Sequence, residues 1–182
     1  IVHQSSQGSG TITIGASGET TNIVGTLQNN GAGVGGTNTP AFQAKLSASQ
    51  SFSQSATFKV DFDHEVFDTA GAYDPTTNQR FTVPSGQAGK YYIHARIFYN
   101  DINSTDAYQN IYIYKNGSSE AVGSRRTVGT TGRDATVSVS QILDLSVSDY
   151  VEIYAVTNAG NGSLAGSSSS SVCIFEGYKI IE

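Results

Sequence analysis

The sequence predicts an all-β protein, an antiparallel sandwich preceded by a short segment of different composition. Runs that alternate apolar and polar residues recur along the chain, and turn-forming residues separate them about every 8–12 positions. Aromatic and β-branched residues dominate these runs, and no convincing helical pattern occurs. Only 14% of the residues are charged, against about 25% in an average soluble protein. This balance favours an extracellular or virion protein over a cytosolic helical enzyme.

Residues 89–100 are predicted to form the central strand. A period of two puts an apolar set on one face, namely Tyr91, Ile93, Ala95, Ile97 and Tyr99. The opposite face is mixed and carries Tyr92, His94, Arg96 and Phe98. The first face suits the interior of a sandwich. The second suits a surface that contacts something other than bulk water.

Residues 1–39 form a separate segment with two short β-like pieces, at 11–15 and 21–25. Its few aliphatic residues are Ile12, Ile14, Ile23, Val24 and Leu27. Their burial, at about 1.5–3 kcal/mol each, cannot offset a backbone entropy of about 1–2 kcal/mol per ordered residue. Two interpretations stay open. The segment is either a disordered linker or part of an intertwined three-chain β-stalk, in which its short β pieces form rungs and copies from the other chains complete the core.

Residues 40–182 are predicted to form the head. Besides the central strand, strands are expected at residues 40–46, 56–68, 80–84, 108–114, 135–145, 149–156 and 172–181. Three long polar loops are expected at 100–107, 118–134 and 157–171. Roughly eight to ten short strands without a helix predict a sandwich.

Charge and cysteine content exclude several classes of function. A net charge of −5 counts against nucleic-acid binding, which needs a basic surface. The single cysteine, Cys173, rules out an internal disulfide framework and is expected to be a small buried hydrophobe. No apolar run approaches the ~18 residues of a membrane span, so no membrane insertion is expected. Because the chain does not begin with Met, we expect a processed product or a fragment.

Candidate catalytic residues are few. Asp61, Asp63 and Glu65 share one face at period two, as paired carboxylates of a glycosidase or ligands of a hard cation would. A solvated outer face is the favoured alternative. His94 is expected to be a satisfied histidine at a subunit interface rather than a general base. No nucleophile, zinc or phosphate-loop motif occurs, so we expect neither an enzyme nor a cofactor, with a glycan-cleaving fibre as an alternative.

Several short motifs resemble the globular head of complement C1q, part of the C1q/TNF-like superfamily. In chain order they are Pro40-Ala41-Phe42, Tyr73-Asp74-Pro75, Phe81, Pro84, Gly89-Lys90-Tyr91-Tyr92, Lys115-Asn116-Gly117, Asp149-Tyr150-Val151 and Phe175-Glu176-Gly177-Tyr178. The resemblance covers residues 40 to about 181. It implies a ten-stranded antiparallel jelly roll that associates as a tight trimer, usually at the end of a stalk. The family's Gly-Asp before the strand at Val151 is Ser148-Asp149 here.

A trimer is also expected because aromatic residues lie on both faces of their strands, and a monomer would expose a large apolar patch. The candidate interface residues are Tyr92, His94, Phe98, Tyr112, Tyr114, Phe175 and Tyr178.

Residues 1–39 lack the Gly-X-Y period of a collagen stalk and resemble the short β-repeats ahead of C1q-like tips in bacteriophage fibres. We therefore expect a virion protein, a trimeric tail or capsid fibre, joined to other virion proteins through residues 1–39. A secreted C1q-like recognition protein is the alternative. The head is expected to contact a host surface glycan or protein through loop residues, the candidates being Asp101, Asp106, Arg125, Arg126 and Arg133. The arginines could instead pair with Asp134, Glu120 or a neighbouring subunit.

Overall fold

The computed structural model describes residues 18, 25, 28–29, 32–33, 38–53, 56–102, 107–128 and 133–180. The chain divides into two units, Ile1–Thr37 and Asn38–Glu182. In the first unit, β1 (Gln28–Asn29) and β2 (Ala32–Gly33) form an antiparallel hairpin. Apart from Gly25, the β pieces expected at 11–15 and 21–25 lie outside the described residues. Both interpretations of residues 1–39 therefore stay predictions.

The second unit is a sandwich of two sheets, and the first of them is built around β9. We call it the β9 sheet. Its strands lie in the order β4 (Gln50–Ser53), β15 (Asn161–Leu164), β9 (Gly89–Ile102), β16 (Ile174–Lys179), β3 (Ala41–Lys45) and β6 (His64–Asp68). In addition, β9 pairs along its length with β13 (Arg133–Leu145), which is not part of this order.

The second sheet is built around β10, and we call it the β10 sheet. Its strands lie in the order β11 (Ser118–Val122), β10 (Ala107–Lys115), β14 (Tyr150–Thr157), β8 (Arg80–Thr82) and β7 (Tyr73–Asp74). In addition, β12 (Arg126–Val128) pairs with β10, and β5 (Ala56–Lys59) pairs with β14. Every pairing among the described strands is antiparallel. The described residues contain no helix, and so none that could cross a membrane.

The core lies between the two sheets and confirms the predicted central strand. Tyr91, Ile93, Ala95, Ile97 and Tyr99 all point inward and are fully buried. The Tyr99 hydroxyl donates a hydrogen bond across the sandwich to the carbonyl oxygen of Asn110, at 2.9 Å. That bond satisfies a polar group that would otherwise be costly to bury.

Aromatic rings fill one end of the core. The ring of Phe42 in β3 stacks on that of Phe81 in β8, with centroids 4.7 Å apart, and so joins the two sheets. Phe175 of β16 meets Phe42 edge-on at 4.9 Å. Offset and edge-on pairs of this kind add about 0.5–1.5 kcal/mol beyond the area that they bury.

One predicted strand is wrong in its extent. Residues 56–68 form two strands in different sheets, since β5 pairs with β14 while β6 pairs with β3. The connecting residues Val60 and Phe62 are fully buried, so the alternation of apolar residues continues through the crossing. Because both sheets face the same core, the alternation of apolar and polar residues does not show that the chain passes from one sheet to the other.

The polar loops are also shorter than predicted. Residues 118–134 contain β11, β12 and the start of β13, and residues 157–171 contain β15. The described part of the second unit has fourteen strands, β3 to β16, rather than ten. Short polar strands such as β12 and β15 lack the apolar alternation that reveals a strand.

Two turns follow the sequence closely. The hairpin between β10 and β11 turns at Asn116 and Gly117, whose φ angles are 51° and 79°, as the tight turn of an Asn-Gly hairpin requires. Ser148 has a φ of 70°, a left-handed conformation that glycine adopts most easily. The backbone conformation at this position therefore explains why the family has glycine there.

Candidate functional site

The outer face of the β9 sheet carries a row of exposed apolar side chains. Ile142 of β13 lies beside Tyr92 of β9, and Tyr92 lies beside Tyr178 of β16. The two tyrosine rings pack with centroids 5.4 Å apart. Ile142 is 55% exposed and Tyr178 is 42% exposed. Adjacent exposure of this kind is typical of a surface that another protein covers.

A cavity of about 330 Å³ opens beside this row. Its lining is mainly apolar and consists of Asn38, Ala41, Phe42, Phe67, Tyr92, Glu176, Gly177 and Tyr178. Phe67, which is 46% exposed, comes from the edge strand β6. We call Ile142, Tyr92, Tyr178 and Phe67 the apolar face. Such a cavity can accept an apolar side chain from another protein chain.

Glu176 and His94 are in hydrogen-bond contact on the same side of the sheet. The Nδ1 of His94 lies 3.0 Å from Oε1 of Glu176, and the Gln43 side-chain amide donates to Oε2 at 2.5 Å. Both carboxylate oxygens therefore have partners. This arrangement orients the side chains of β3, β9 and β16 relative to one another.

The carboxylates considered for catalysis have structural partners or face solvent. Asp63 accepts hydrogen bonds from the backbone N–H of Ser47 at 2.8 Å and from its hydroxyl at 2.6 Å. Burial raises the pKa of Asp61 above its usual value. Within the described residues, no group of three or more His, Cys, Asp or Glu side chains could hold a metal ion.

The predicted interface residues are divided between the two sheets. Tyr92, His94 and Tyr178 lie on the outer face of the β9 sheet, where Phe98 is partly buried against the core. Tyr112 and Tyr114 lie on the outer face of the β10 sheet, while their neighbours Ile111 and Ile113 are buried.

Phe175 requires a correction. Its side chain is fully buried inside the single chain, where its ring also meets Tyr73 with centroids 5.9 Å apart. It therefore offers no surface to a neighbouring subunit. The alternation along β16 points Phe175 inward and Glu176 outward, so the family motif that contains it marks a core position.

The predicted surface-binding residues are only partly described. Asp106 and the side chain of Arg133 lie outside the described residues. Asp101 is exposed with a φ of 55°, and its carboxylate accepts from the Asn100 amide at 3.1 Å. The structure therefore does not bring the five candidate residues together as one described site.

Arg125 and Arg126 are adjacent in the chain but differ in orientation. The guanidinium of Arg125 lies over the ring of Tyr108, 4.2 Å from its centroid. Arg126 pairs in register with Gln109, whose side chain is buried, and so lies on the other side of the strand. Among the described residues, neither arginine forms an ion pair with Asp134 or Glu120.

Two residues of the apolar face, Ile142 and Phe67, were not among the interface residues predicted from the sequence. Ile142 could have been found, because Ile142 and Leu143 are consecutive and only one of them can face the core. Phe67 could not, since its position depends on the crossing of residues 60–63 between sheets.

Solved structures resemble this chain over more than three quarters of its length. Eiger TNF from S. frugiperda matches with a TM-score of 0.59 and 12% sequence identity, over 78% of this chain and 92% of that one. Murine APRIL matches with a TM-score of 0.54 and 12% identity, over 77% and 98%. The fold is the C1q/TNF-like jelly roll.

The globular domain of zebrafish complement 1qA matches with a TM-score of 0.47 and 17% identity, over 79% of this chain and 98% of that one. No protein-family model matches the sequence, and no curated protein matches it either. The likeness to solved structures concerns the fold alone, and the expected C1q/TNF-like jelly roll is confirmed.

Proposed function

We propose that the chain is a structural and adhesion component of a bacteriophage virion, a fibre whose jelly-roll head is a homotrimer. The apolar face is the main observation that supports a trimer. Ile142, Tyr178 and Phe67 are each about half exposed in the single chain, and Phe67 and Tyr178 line a cavity of about 330 Å³. Soluble monomers seldom keep such a face in water.

The trimer closes through the β9 sheet rather than through both sheets. In a closed ring of three subunits, each subunit is rotated by one third of a turn from the last, so its two contacting surfaces must lie at an angle to each other. Contacts on opposite faces of a subunit build an open filament instead. Tyr92 and Tyr178 lie on one outer face of the sandwich, and Tyr112 and Tyr114 lie on the other. The apolar face therefore faces the three-fold axis, and Tyr112 and Tyr114 remain outside the interface.

The virion assignment rests on the resemblance of residues 1–39 to short β-repeats of phage fibres. In this arrangement the segment joins the head to other virion proteins, and the head projects outward to a glycan or protein of the host surface. The protein is then located on the surface of the virus particle. Loop tips and outer sheet faces remain available for recognition once the apolar face is covered.

Two measurements test this proposal. Light scattering on the full 182-residue chain should give three times the mass of 19.1 kDa, and antibody labelling should place the protein on projecting fibres of intact particles. A stable monomer at micromolar concentration would overturn the trimer. A trimer found free in the culture medium and never on particles would favour the secreted recognition protein instead.

A further inference from the structure

The outer face of the β10 sheet is unusually rich in tyrosine. Five of the ten tyrosines of the chain lie partly exposed on it, namely Tyr108, Tyr112, Tyr114, Tyr150 and Tyr154. We call these five residues the tyrosine face. Its side chains combine an aromatic surface with a hydroxyl at the tip, so it differs from the apolar face of the other sheet. A protein surface of this composition suits a ligand that is both apolar and rich in hydroxyl groups.

Contacts among these tyrosines fix their orientation. The rings of Tyr114 and Tyr154 stack with centroids 4.1 Å apart, and Tyr112 meets Tyr114 nearly at right angles at 6.5 Å. The Asn110 side-chain amide donates to the Tyr112 hydroxyl at 3.3 Å, which leaves the hydroxyl's own proton free to donate to a ligand. Little side-chain entropy remains to be lost when a ligand binds to rings held in this way.

An arginine lies on a tyrosine at each end of this face. Arg125 lies over Tyr108, and Arg80 lies over Tyr150, each 4.2 Å from the ring centroid. Among the described residues neither guanidinium forms an ion pair with a carboxylate. The two ends are separated by about eight residues of β14, which is about 27 Å at about 3.4 Å per residue. The face thus carries one guanidinium at each end, far apart, with aromatic rings between them.

The position of Arg125 is set by the backbone that precedes it. The N–H of Gly123 donates to the carbonyl oxygen of Ile111 at 2.8 Å, and Ser124 N–H donates to that of Ser138 at 2.9 Å. A Cβ at Gly123 would lie 2.2 Å from that Ser138 oxygen. The segment therefore cannot shift outward or inward without breaking contacts, and Arg125 is presented at a fixed place.

We propose that the tyrosine face binds a linear acidic polysaccharide, an inference that rests on the proposed adhesion function and names its ligand and its site. The C–H groups of a sugar ring carry partial positive charge and pack on the negative face of an aromatic ring, while its hydroxyls bond to the tyrosine hydroxyls. Arginine forms two parallel hydrogen bonds with one carboxylate. Repeated carboxylates along one polymer reach both Arg125 and Arg80.

The charge pattern decides between this ligand and a second copy of the chain. Arg80 and Arg125 suit an anionic partner. Among the described residues, this face carries two carboxylates, and neither is free: Glu152 is paired with Lys59 at 2.6 Å. Asp74, which lies opposite Arg80 in register, accepts hydrogen bonds from the backbone N–H groups of Thr76, Thr77 and Asn78. Two tyrosine faces brought together would bury four arginines against one another. Among the described residues, one large aliphatic side chain beside the tyrosine face is strongly exposed, that of Val122, whereas the apolar face has two large apolar side chains of this kind, Ile142 and Phe67. The apolar face is thus the better subunit contact.

Binding of the full-length protein to immobilised polygalacturonate and alginate tests the proposal, with neutral dextran of matched length as the reference. We expect the acidic polymers to bind at least about tenfold more tightly than dextran, and added salt to weaken the binding. Arg125→Gln and Arg80→Gln should each weaken binding about fivefold to tenfold. Tyr112→Ala should weaken it by a similar factor, and Tyr112→Phe by less.

Arg126→Gln is the matched control. It removes the same charge one residue away, on the other side of the strand, and should leave binding within about twofold. Equal losses in Arg125→Gln and Arg126→Gln, or equal binding of dextran, or no binding of either acidic polymer, would overturn the proposal. So would dissociation of the trimer in Tyr112→Ala, because the face would then be a subunit contact.

The same experiment separates this inference from the proposed function. Loss of polymer binding has no bearing on whether the protein is found on fibres, so a labelled particle with no acidic-polysaccharide binding refutes the inference alone. Specific binding by a protein that never labels particles refutes the virion assignment and leaves the site standing.

Discussion

Tyr92 and Tyr178 pack against each other on the outer face of the β9 sheet, with ring centroids 5.4 Å apart. They are partners across two strands, β9 and β16, that are next to each other in space but far apart in sequence. Ile142 extends the row on the other side of Tyr92. Three strands that also build the core therefore present one continuous apolar surface. The stability of the single chain is thus tied to the surface through which we propose that subunits associate.

Ile142→Asp tests whether this surface is the trimer contact. A carboxylate at the centre of an apolar interface would lose its hydration without gaining a partner, so we expect the variant to be a folded monomer by light scattering and circular dichroism. Val147→Asp is the control. Val147 is similarly exposed, at 44%, but lies in the turn between β13 and β14, and this variant should stay trimeric. An unchanged mass for Ile142→Asp would contradict the assignment.

The strands that cross the core could be predicted from the sequence, because burial leaves a period of two. In β9 the five inward residues are all apolar or aromatic and fully buried, and the family motif around Tyr91 and Tyr92 supports the same strand. The crossing at residues 60–63 could not be predicted. Val60 and Phe62 face the core on both sides of the crossing, and alternation reports burial rather than the sheet to which a residue belongs.

The binding surfaces were less predictable than the fold. The arginines at 125 and 126 are indistinguishable in the sequence, and only the pairing of β12 with β10 places Arg125 on the ring of Tyr108 and Arg126 on the other side. Similarly, Tyr92 and Tyr112 both alternate with buried residues. Which sheet each belongs to, and hence which outer face, depends on strand order, and strand order arises from contacts between residues distant in sequence.

Gly123→Ala should destabilise the protein through a steric clash. The added Cβ would lie 2.2 Å from the Ser138 carbonyl oxygen and 2.7 Å from side-chain atoms of Ile111 and Val139. We expect a loss of about 3 kcal/mol in the free energy of unfolding, measured with urea. Gly71→Ala is the control, since its Cβ would meet open space and only its positive φ of 61° matters. That variant should lose about 1 kcal/mol, and equal losses would contradict the steric explanation.

Cys173 should be unreactive in the folded protein. Its side chain is fully buried, and burial raises the pKa of the thiol to about 11. The Sγ accepts from the Phe98 N–H at 3.2 Å, and the thiol donates to the Ala165 carbonyl at 3.0 Å. A thiol-specific reagent should therefore label it only at the rate of unfolding, accelerated by urea. Labelling as fast as in the denatured chain would contradict this.

Replacing the same thiol should destabilise the fold. In Cys173→Ala the Phe98 N–H and the Ala165 carbonyl both lose their partner, and an unsatisfied buried group costs about 1–3 kcal/mol. We expect a decrease of that size in the free energy of unfolding in urea. A variant as stable as the parent protein would mean that these two backbone groups find other partners.

Asp149 should make the protein lose stability in acid. Its carboxylate accepts from the Asn116 side-chain amide at 2.7 Å and from the Ser146 N–H at 2.8 Å, and it lies 3.0 Å from the Lys115 ammonium. These contacts lower the pKa of Asp149 from 3.8 to about 2. Because the folded state holds the proton less tightly than the unfolded state, the stabilisation is complete above pH 3.8 and is lost as the pH falls towards 2.

Asp149→Asn tests this linkage, because the amide keeps the shape of the side chain but loses the charge and one acceptor oxygen. We expect its free energy of unfolding at pH 7 to fall by about 2 kcal/mol, and its decline between about pH 4 and pH 2 to be shallower than that of the parent protein. Asp144→Asn is the control, since Lys115 contacts the backbone oxygen of Asp144 and not its carboxylate. It removes the same charge from an exposed position and should change stability by less than about 0.5 kcal/mol. If both variants show the pH dependence of the parent protein, the hydrogen bonds to Asp149 do not stabilise the fold.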